Sequence, residues 1–254
     1  PSTGQSSCTD AFAGYYVPST GSATQTACPA GTYNPNTASI SYSACIDVDA
    51  GYYTSSSGSA SQIACSLGTY QPTAGQTSCI DASAGYYVDL TASTNQWTCT
   101  AGTYQPSTGQ SSCIDASAGY YVDTTASVTQ TACAAGTYQP STGQSSCTDA
   151  SAGYYVPSTG STTQTICAAG TYQPSTGQSS CIDASAGYYV DSTGSTTQTA
   201  CAAGTYNSNT ASTSSSACTD ASAGYHVPSA GSATQTACAV GTYQPLIGQS
   251  SCID

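Results

Sequence analysis

A glycine–x–tyrosine triplet returns about every 17 residues along this 254-residue chain. Fourteen triplets occur between Gly14 and Gly241, and His226 replaces the tyrosine in one of them. Self-similarity at a short fixed period is typical of a repeat array, in which each unit buries its apolar residues only against its neighbours. We therefore expect an elongated rod of 17-residue half-repeats rather than a domain with one central core.

The charge of the chain excludes several partners and functions. It contains no Lys and no Arg, and twelve Asp residues give it a net charge of −12. Without cations it cannot neutralise phosphates, which excludes nucleic acid and disfavours anionic membrane surfaces. No run of 18 apolar residues occurs, so we expect no membrane insertion. We also expect no catalytic activity and no cofactor, because the chain has no nucleophile–base motif and no metal-ligand motif.

Tyrosine and cysteine are the residues on which folding must depend. Only 22 residues are Leu, Ile, Val or Phe, against 21 tyrosines and 15 cysteines. Tyrosine brings a large apolar body, and cysteines supply the cross-links that a small core needs. Because no other large apolar residue recurs in every half-repeat, we expect the rings to form continuous rows, buried or half-buried. This tyrosine column consists of Tyr16, Tyr33, Tyr53, Tyr70, Tyr87, Tyr104, Tyr121, Tyr138, Tyr155, Tyr172, Tyr189, Tyr206, His226 and Tyr243.

The cysteine spacing alternates and defines a longer repeat. Seven gaps are 20 residues long and five are 14, while the gaps from Cys28 to Cys45 and from Cys201 to Cys218 are 17. The repeat is therefore 34 residues, or 37 with an insertion, and consists of two related halves, AGTYQPSTGQSSC and AGYYVPSTGSTTQTIC. A glutamine stands three residues before the cysteine in both halves. We expect partial repeats at 1–27 and 238–254, and full repeats at 28–64, 65–98, 99–132, 133–166, 167–200 and 201–237.

The local sequence favours short strands and turns. Tyr-Tyr-Val and Thr-Tyr-Gln segments are β-prone, and the Pro-Ser-Thr-Gly that often follows favours a turn. Helix is not expected, because Ser, Thr, Gly and Pro dominate and no 3.6-residue periodicity occurs. The predicted fold is a small disulfide-rich β array with strands of about three or four residues. Since the sequence begins and ends inside a repeat, we expect more of the same protein to adjoin it, as further sequence or as the next subunit.

The segment from Cys167 to Cys181 has the pattern C-x2-G-x-Y-x8-C, which recurs along the chain. It resembles the first loop of TNF-receptor-type cysteine-rich modules, and it is similar to the ephrin-receptor-like cysteine-rich repeats of secreted algal and protist proteins. Those families usually carry additional cysteines, whereas here residues 182–184 follow without one. The resemblance implies the disulfides Cys28–Cys45, Cys65–Cys79, Cys99–Cys113, Cys133–Cys147, Cys167–Cys181, Cys201–Cys218 and Cys238–Cys252.

This register leaves Cys8 over, so that its partner lies upstream or in a neighbouring subunit. The alternative register closes the 20-residue gaps and leaves Cys252 free. Spacing alone leaves both registers open. Regular spacing without His or Glu partners favours disulfides over zinc, so we expect no metal at the cysteines.

Three further features each have two interpretations. Aspartates two residues after each closing cysteine, such as Asp47 and Asp81, are either a ladder of Ca²⁺ ligands or Asx turns. One such carboxylate per half-repeat pair is few for calcium, which favours the turns. His226 is either a replacement of one ring of the tyrosine column by another or a catalytic or metal-binding residue, and its position in the column favours the replacement. The unique Trp97 is either an exposed contact for a sugar or protein, or a local packing variant.

Serines and threonines beside proline are typical of O-glycosylated stalks, and they are equally typical of plain turns. N-linked glycans are not expected, because no Asn-x-Ser/Thr sequon occurs. The candidate O-glycosylation residues are Ser19, Thr20, Ser107, Thr108, Ser141, Thr142, Ser158, Thr159, Ser175 and Thr176.

These observations together favour an extracellular structural protein. We expect a filament, appendage or surface coat, formed when the chain assembles with itself end to end or laterally. The alternative is the stalk of a cell-surface receptor or adhesin that displays a binding domain outside this segment. The low diversity between copies disfavours specific ligand recognition by the array itself.

Overall fold

The computed structural model describes residues 7–254, so the first six residues of the expected partial repeat 1–27 lie outside the described residues. The chain forms two units. One unit comprises Pro1–Ala116 and Val122–Gln130, and the other comprises Ser117–Tyr121 and Thr131–Asp254.

Each half-repeat begins three residues before the glycine of its triplet and turns back on itself at that glycine. First halves begin with a cysteine, and second halves begin with an alanine or a valine. In the first half that begins at Cys167, the N–H of Thr171 donates to the carbonyl of Ala168 at 3.1 Å. Between them Gly170 has a φ of 89°. A positive φ at the third position is what a type II turn requires, which explains why this glycine recurs.

The turn leads into an antiparallel hairpin of two-residue strands. The column residue pairs with the first residue of the second strand, as Tyr172 does with Ile182. In the first halves the paired strands are Thr32–Tyr33 with Ile46–Asp47, Thr69–Tyr70 with Ile80–Asp81, Thr103–Tyr104 with Ile114–Asp115, Thr137–Tyr138 with Thr148–Asp149, Thr171–Tyr172 with Ile182–Asp183, and Thr205–Tyr206 with Thr219–Asp220. A single bridge between Tyr243 and Ile253 replaces the hairpin in the last first half.

The second halves form hairpins of the same kind. Their paired strands are Tyr15–Tyr16 with Thr26–Ala27, Tyr52–Tyr53 with Ile63–Ala64, Tyr86–Tyr87 with Trp97–Thr98, Tyr120–Tyr121 with Thr131–Ala132, Tyr154–Tyr155 with Thr165–Ile166, Tyr188–Tyr189 with Thr199–Ala200, and Tyr225–His226 with Thr236–Ala237. The strands are shorter than predicted, because the residue after each column position leaves its hairpin and bonds with the next half-repeat.

Two single turns of 3-10 helix, Tyr42–Ala44 and Ser215–Ala217, are the helical segments of residues 7–254. Each lies in one of the two longer first halves, at the three-residue insertion. The insertion leaves the hairpin register unchanged, since Thr205 still pairs with the aspartate that ends its half-repeat. The prediction of a disulfide-rich β repeat array without α-helix is confirmed.

Backbone hydrogen bonds join consecutive half-repeats. The N–H of the triplet glycine donates to the carbonyl of the residue after the next column position, at 2.7–3.0 Å across thirteen junctions. Gly170 donates in this way to Val190, and the N–H of Ala184 donates back to the carbonyl of Gly170. The following half-repeat thus satisfies both polar groups of the glycine without any side chain.

Apart from the triplet glycine, which is itself buried in most half-repeats, the buried residues lie mainly at two positions of each half-repeat, the first residue and the residue after the column position. In the repeat that starts at Cys167 they are Cys167, Gln173, Ala184 and Val190, all of which are at most 4% exposed. The buried glutamine is fully bonded, because its Nε2 donates to the carbonyl of Ser180 and its Oε1 accepts a backbone N–H. In residues 7–254 no buried side-chain polar atom lacks a partner.

The triplet glycine also lies against the half-repeat two places further on. A methyl group added at Gly153 would lie 2.2 Å from the carbonyl oxygen of Gly194, and the corresponding distance is 2.1–2.5 Å at ten other triplet glycines. Ordinary Cβ atoms are not found so close to a backbone oxygen. Two separate constraints, the positive φ and the close approach, therefore require glycine at this position.

A pair of alanine substitutions separates these two constraints. Gly153→Ala adds both a clash and backbone strain, whereas Gly160→Ala adds only strain, since its new methyl group would lie 3.9 Å from its nearest neighbour. The chain itself has an alanine, Ala126, at a φ of 56° at the position equivalent to Gly160. We expect Gly153→Ala to lower the free energy of unfolding by about 2 kcal/mol more than Gly160→Ala. Urea unfolding followed by circular dichroism measures this, and equal losses would contradict the close approach.

Candidate functional site

Seven disulfides close the first halves. Each joins the first residue of the half-repeat to the residue before its second strand, with Cα atoms 5.6–5.9 Å apart. These are the pairs that the family resemblance implies, and not those of the 20-residue register. They are Cys28–Cys45, Cys65–Cys79, Cys99–Cys113, Cys133–Cys147, Cys167–Cys181, Cys201–Cys218 and Cys238–Cys252.

A glutamine closes the second halves in place of the disulfide. The Oε1 of Gln164 accepts the backbone N–H of Ser151 at 2.7 Å, thirteen residues earlier in the same half-repeat. The same bond joins Gln198 to Ser185 and Gln235 to Ser222. Counting 17 residues back from Gln198 reaches Cys181, so this glutamine occupies the position of the closing cysteine.

The glutamines that precede the cysteines are therefore of two structural kinds. In first halves, Gln178 is exposed and its Nε2 donates to the carbonyl of Thr176, two residues earlier. In second halves, Gln198 closes the loop. Alignment on the following cysteine placed the two kinds together, and sequence analysis missed the loop-closing role. The signal that reveals it is alignment on the triplet glycine, since Cys181 and Gln198 each lie eleven residues after the glycine of their half-repeat.

The tyrosine column is half-buried along most of its length, and Tyr243 is 57% exposed. Within the two units, the described residues form one aromatic ring pair, in which Tyr16 meets Tyr42, a residue outside the column, at 6.2 Å. The structure thus replaces the expected continuous stack with separate, half-exposed rings. The reason is that successive side chains of extended backbone point to opposite sides, so that Val190 is buried while Tyr189 before it remains half-exposed. The buried valines that follow the column position in the second halves are Val88, Val122, Val156, Val190 and Val227.

The aspartates after the closing cysteines are exposed and do not form the expected Asx turns. Asp81 and Asp149 accept no hydrogen bond within their units, and their carboxyl groups lie against turn glycines two half-repeats further on. A methyl group added at Gly109 would lie 3.5 Å from Cγ of Asp81. Because the carboxylates are separate from one another along the chain, each offers a single group to a cation.

The unique Trp97 and the unique His226 both lie in second-half hairpins. Trp97 is 53% exposed and pairs across its hairpin with Tyr87. His226 occupies a column position, half-buried, with its Nδ1 3.2 Å from Sγ of Cys252. His226, Cys238 and Cys252 lie within 4.8 Å of one another, but the two sulfurs are joined to each other.

All ten candidate O-glycosylation residues are exposed. Cys8 is a free, exposed thiol that lines a groove of about 890 Å³ together with Phe12 and Ile40. No helix among residues 7–254 has the length and apolar character needed to cross a bilayer.

The fold and its cross-links define a class, the small disulfide-rich β modules that occur in tandem. A family model described as tyrosine-protein kinase ephrin type A/B receptor-like matches residues 51–99, 119–167 and 153–201, which together cover more than half of the chain. The chain therefore belongs to the ephrin-receptor-like repeat family, as its resemblance predicts. No curated protein matches it significantly. Repeats of this family are non-catalytic structural modules, typical of extracellular domains, where disulfides persist.

Peptide mapping without reduction tests the disulfide register. Trypsin finds no site in a chain without Lys and Arg, so chymotrypsin, which cuts after tyrosine, is the suitable protease. We expect Cys133 to be linked to Cys147 and Cys167 to Cys181, with Cys8 outside all seven pairs. Recovery of Cys147 linked to Cys167 would contradict the structure.

Alanine substitution tests the loop-closing glutamine. Gln164→Ala removes the bond to the N–H of Ser151, and we expect it to lower the free energy of unfolding by about 1 kcal/mol. Gln178→Ala is the matched control, because it removes only a local bond on an exposed turn and should cost less than about 0.5 kcal/mol. Urea unfolding measures both variants. An equal cost would show that the two kinds of glutamine contribute alike.

Proposed function

We propose that this chain is a structural element of an extracellular filament, appendage or surface coat, and that its partner is more of the same protein. The observation that carries this proposal is the contact between consecutive half-repeats. It is made by backbone groups that recur at every junction, so any half-repeat can in principle follow any other of the opposite kind.

The geometry of this contact supports an open assembly. The surface that a half-repeat offers to the next differs from the surface that it offers to the one before, which makes the contact heterologous. Heterologous contacts that do not close extend indefinitely.

The exterior also supports contact with further copies. Ile80, Ile114 and Ile182 follow the closing cysteines and are 44–45% exposed. They lie opposite half-buried tyrosines in their hairpins. The exposed candidate residues Ser107 and Ser175 lie in the same first halves as Ile114 and Ile182 and are available to carry O-linked glycans. An apolar side chain that recurs along the chain at repeat spacing is suited to lateral packing against another array.

The second candidate is the stalk of a cell-surface receptor or adhesin, which displays a binding domain outside this segment. Membership of a family named after receptors favours this candidate. A stalk needs only the contacts within the chain, whereas a filament also needs contacts between chains. The two candidates are thus distinguished by self-association.

Light scattering and negative-stain microscopy of the purified, oxidised chain test the filament. We expect species larger than the 25.1 kDa chain that grow with concentration, and a covalent fraction linked through Cys8. Cys8→Ser is the control, since it should remove the covalent fraction on a non-reducing gel and leave the concentration dependence. A monodisperse monomer with a free thiol at Cys8 at every concentration would overturn the filament and favour the stalk.

A further inference from the structure

Tyr16 and Tyr42 form the one close pair of aromatic rings that the described residues make within the two units. Their ring centroids lie 6.2 Å apart at an interplanar angle of 79°, so the edge of one ring meets the face of the other. Tyr16 belongs to the tyrosine column, whereas Tyr42 is the one tyrosine of the chain that lies outside a glycine triplet. It begins the 3-10 turn Tyr42–Ala44 in the insertion, where most first halves have glutamine.

We propose that Tyr16 and Tyr42 are a site of oxidative coupling, at which a haem peroxidase with hydrogen peroxide joins the two rings in a dityrosine cross-link. The link connects the second half 11–27 to the first half 28–47. Each of the seven disulfides lies within a single half-repeat, so that among residues 7–254 the main chain is the only covalent connection between consecutive half-repeats. The inference does not depend on whether the chain forms filaments.

The exposure of Tyr42 belongs to the insertion and does not depend on where the sequence begins. Tyr42 is 58% exposed. Ser215 occupies the equivalent position in the second insertion, has complete half-repeats before it in its own unit, and is exposed as well. Tyr16 is half-buried, as Tyr189 is at the equivalent column position. An oxidant therefore reaches both rings, and the ring of Tyr42 is free to rotate on its exposed turn.

The composition of the chain directs one-electron oxidation to its phenols. Thiols, methionine, tryptophan and tyrosine are the side chains that are oxidised most readily, and the first two otherwise react before the rings. This chain has no Met, one Trp and 15 Cys, of which Cys8 alone is a free thiol. Few groups therefore compete with the tyrosines for the oxidant, and among the tyrosines Tyr16 and Tyr42 have each other as a neighbouring ring.

The coupling step conserves atoms and electrons. The peroxidase takes one electron and one proton from each phenol, and the two radicals join by a C–C bond between ring carbons adjacent to the carbons that bear the hydroxyls. The hydrogen on each joined carbon then moves to its own oxygen, which restores both phenols. Hydrogen peroxide takes up the two electrons and two protons and becomes two waters. Because the fold holds the rings together, the coupling is effectively unimolecular once rotation of Tyr42 brings the two ring edges into contact.

Mass spectrometry after limited oxidation tests the proposal. The Cys8→Ser variant is used so that a free thiol does not consume the oxidant, and it is treated with a haem peroxidase and limiting hydrogen peroxide. After reduction and alkylation, a protease that cuts before aspartate releases the fragment 10–46, which contains both rings. The cross-link makes this fragment two hydrogen atoms lighter and prevents cleavage between the joined residues from separating its ends. We expect dityrosine between Tyr16 and Tyr42 to form about tenfold faster than between any other two tyrosines.

Three variants separate the ring pair from mere exposure of tyrosine. Tyr42→Phe keeps the ring and removes its hydroxyl, and we expect it to lower the initial rate of dityrosine fluorescence about tenfold. Tyr104→Phe, at a half-buried column position without a ring neighbour, is the matched control and should leave that rate unchanged. Ser215→Tyr places a phenol in the second insertion beside Tyr189, and it should add a link between the fragments 183–190 and 191–219.

Circular dichroism checks that each variant keeps the wild-type fold. An unchanged rate of dityrosine formation in Tyr42→Phe would overturn the proposal, because the coupling would then come from other tyrosines. The absence of dityrosine from the oxidised Cys8→Ser chain, or cross-links that join only different chains on a reducing gel, would overturn it as well.

Discussion

The contact on which the rest of the structure depends is the one that each triplet glycine makes with the half-repeats that follow it. At thirteen of these glycines the N–H and the carbonyl bond to the next half-repeat, and at eleven of them the Cα lies against a turn carbonyl two half-repeats away, where a Cβ would not fit. A chain with 22 large aliphatic and phenylalanine residues cannot bury much apolar surface. Backbone hydrogen bonds between neighbours therefore take the role that a large core has in other folds, and only glycine allows backbones to approach closely enough.

First and second halves close their loops by two different interactions. Every half-repeat has a loop that must be held closed between its turn and its second strand. First halves close it with a disulfide, which contributes about 3 kcal/mol for a loop of this length. Second halves close it with a side-chain amide, as Gln164 does at Ser151, for about 1 kcal/mol. The cross-link thus recurs only every second half-repeat, and the 34-residue period is the period of the covalent closure rather than of the hairpin.

Periodicity was sufficient to predict the fold class, and the pattern between Cys167 and Cys181 led to the family and through it to the disulfide pairs that the structure has. What periodicity could not give is the direction of each side chain. Tyr189 and Val190 are neighbours in sequence, and which of them faces inward depends on the hairpin register and on the next half-repeat. The buried glutamines, such as Gln173, were hidden for a similar reason. Their burial is possible only because the loop of their own half-repeat supplies partners for the amide.

The same contacts explain why the fold is held together without ion pairs between side chains. Within half-repeats and across their junctions, most bonds are made by neutral groups, namely backbone amides, Gln and Asn side chains, hydroxyls and disulfides. The exceptions are the exposed carboxylates of Asp49 and Asp191, which accept from Gln62 and Ser192. Each half-repeat that is added contributes a similar interface with its neighbour, so stability grows with copy number and does not require any unique element. Near-identical copies would also present near-identical surfaces, which suits repeated contact with the same partner more than recognition of a single ligand. The residues that depart from this uniformity, such as His226 beside Cys252, are where one half-repeat differs in its contacts from the others.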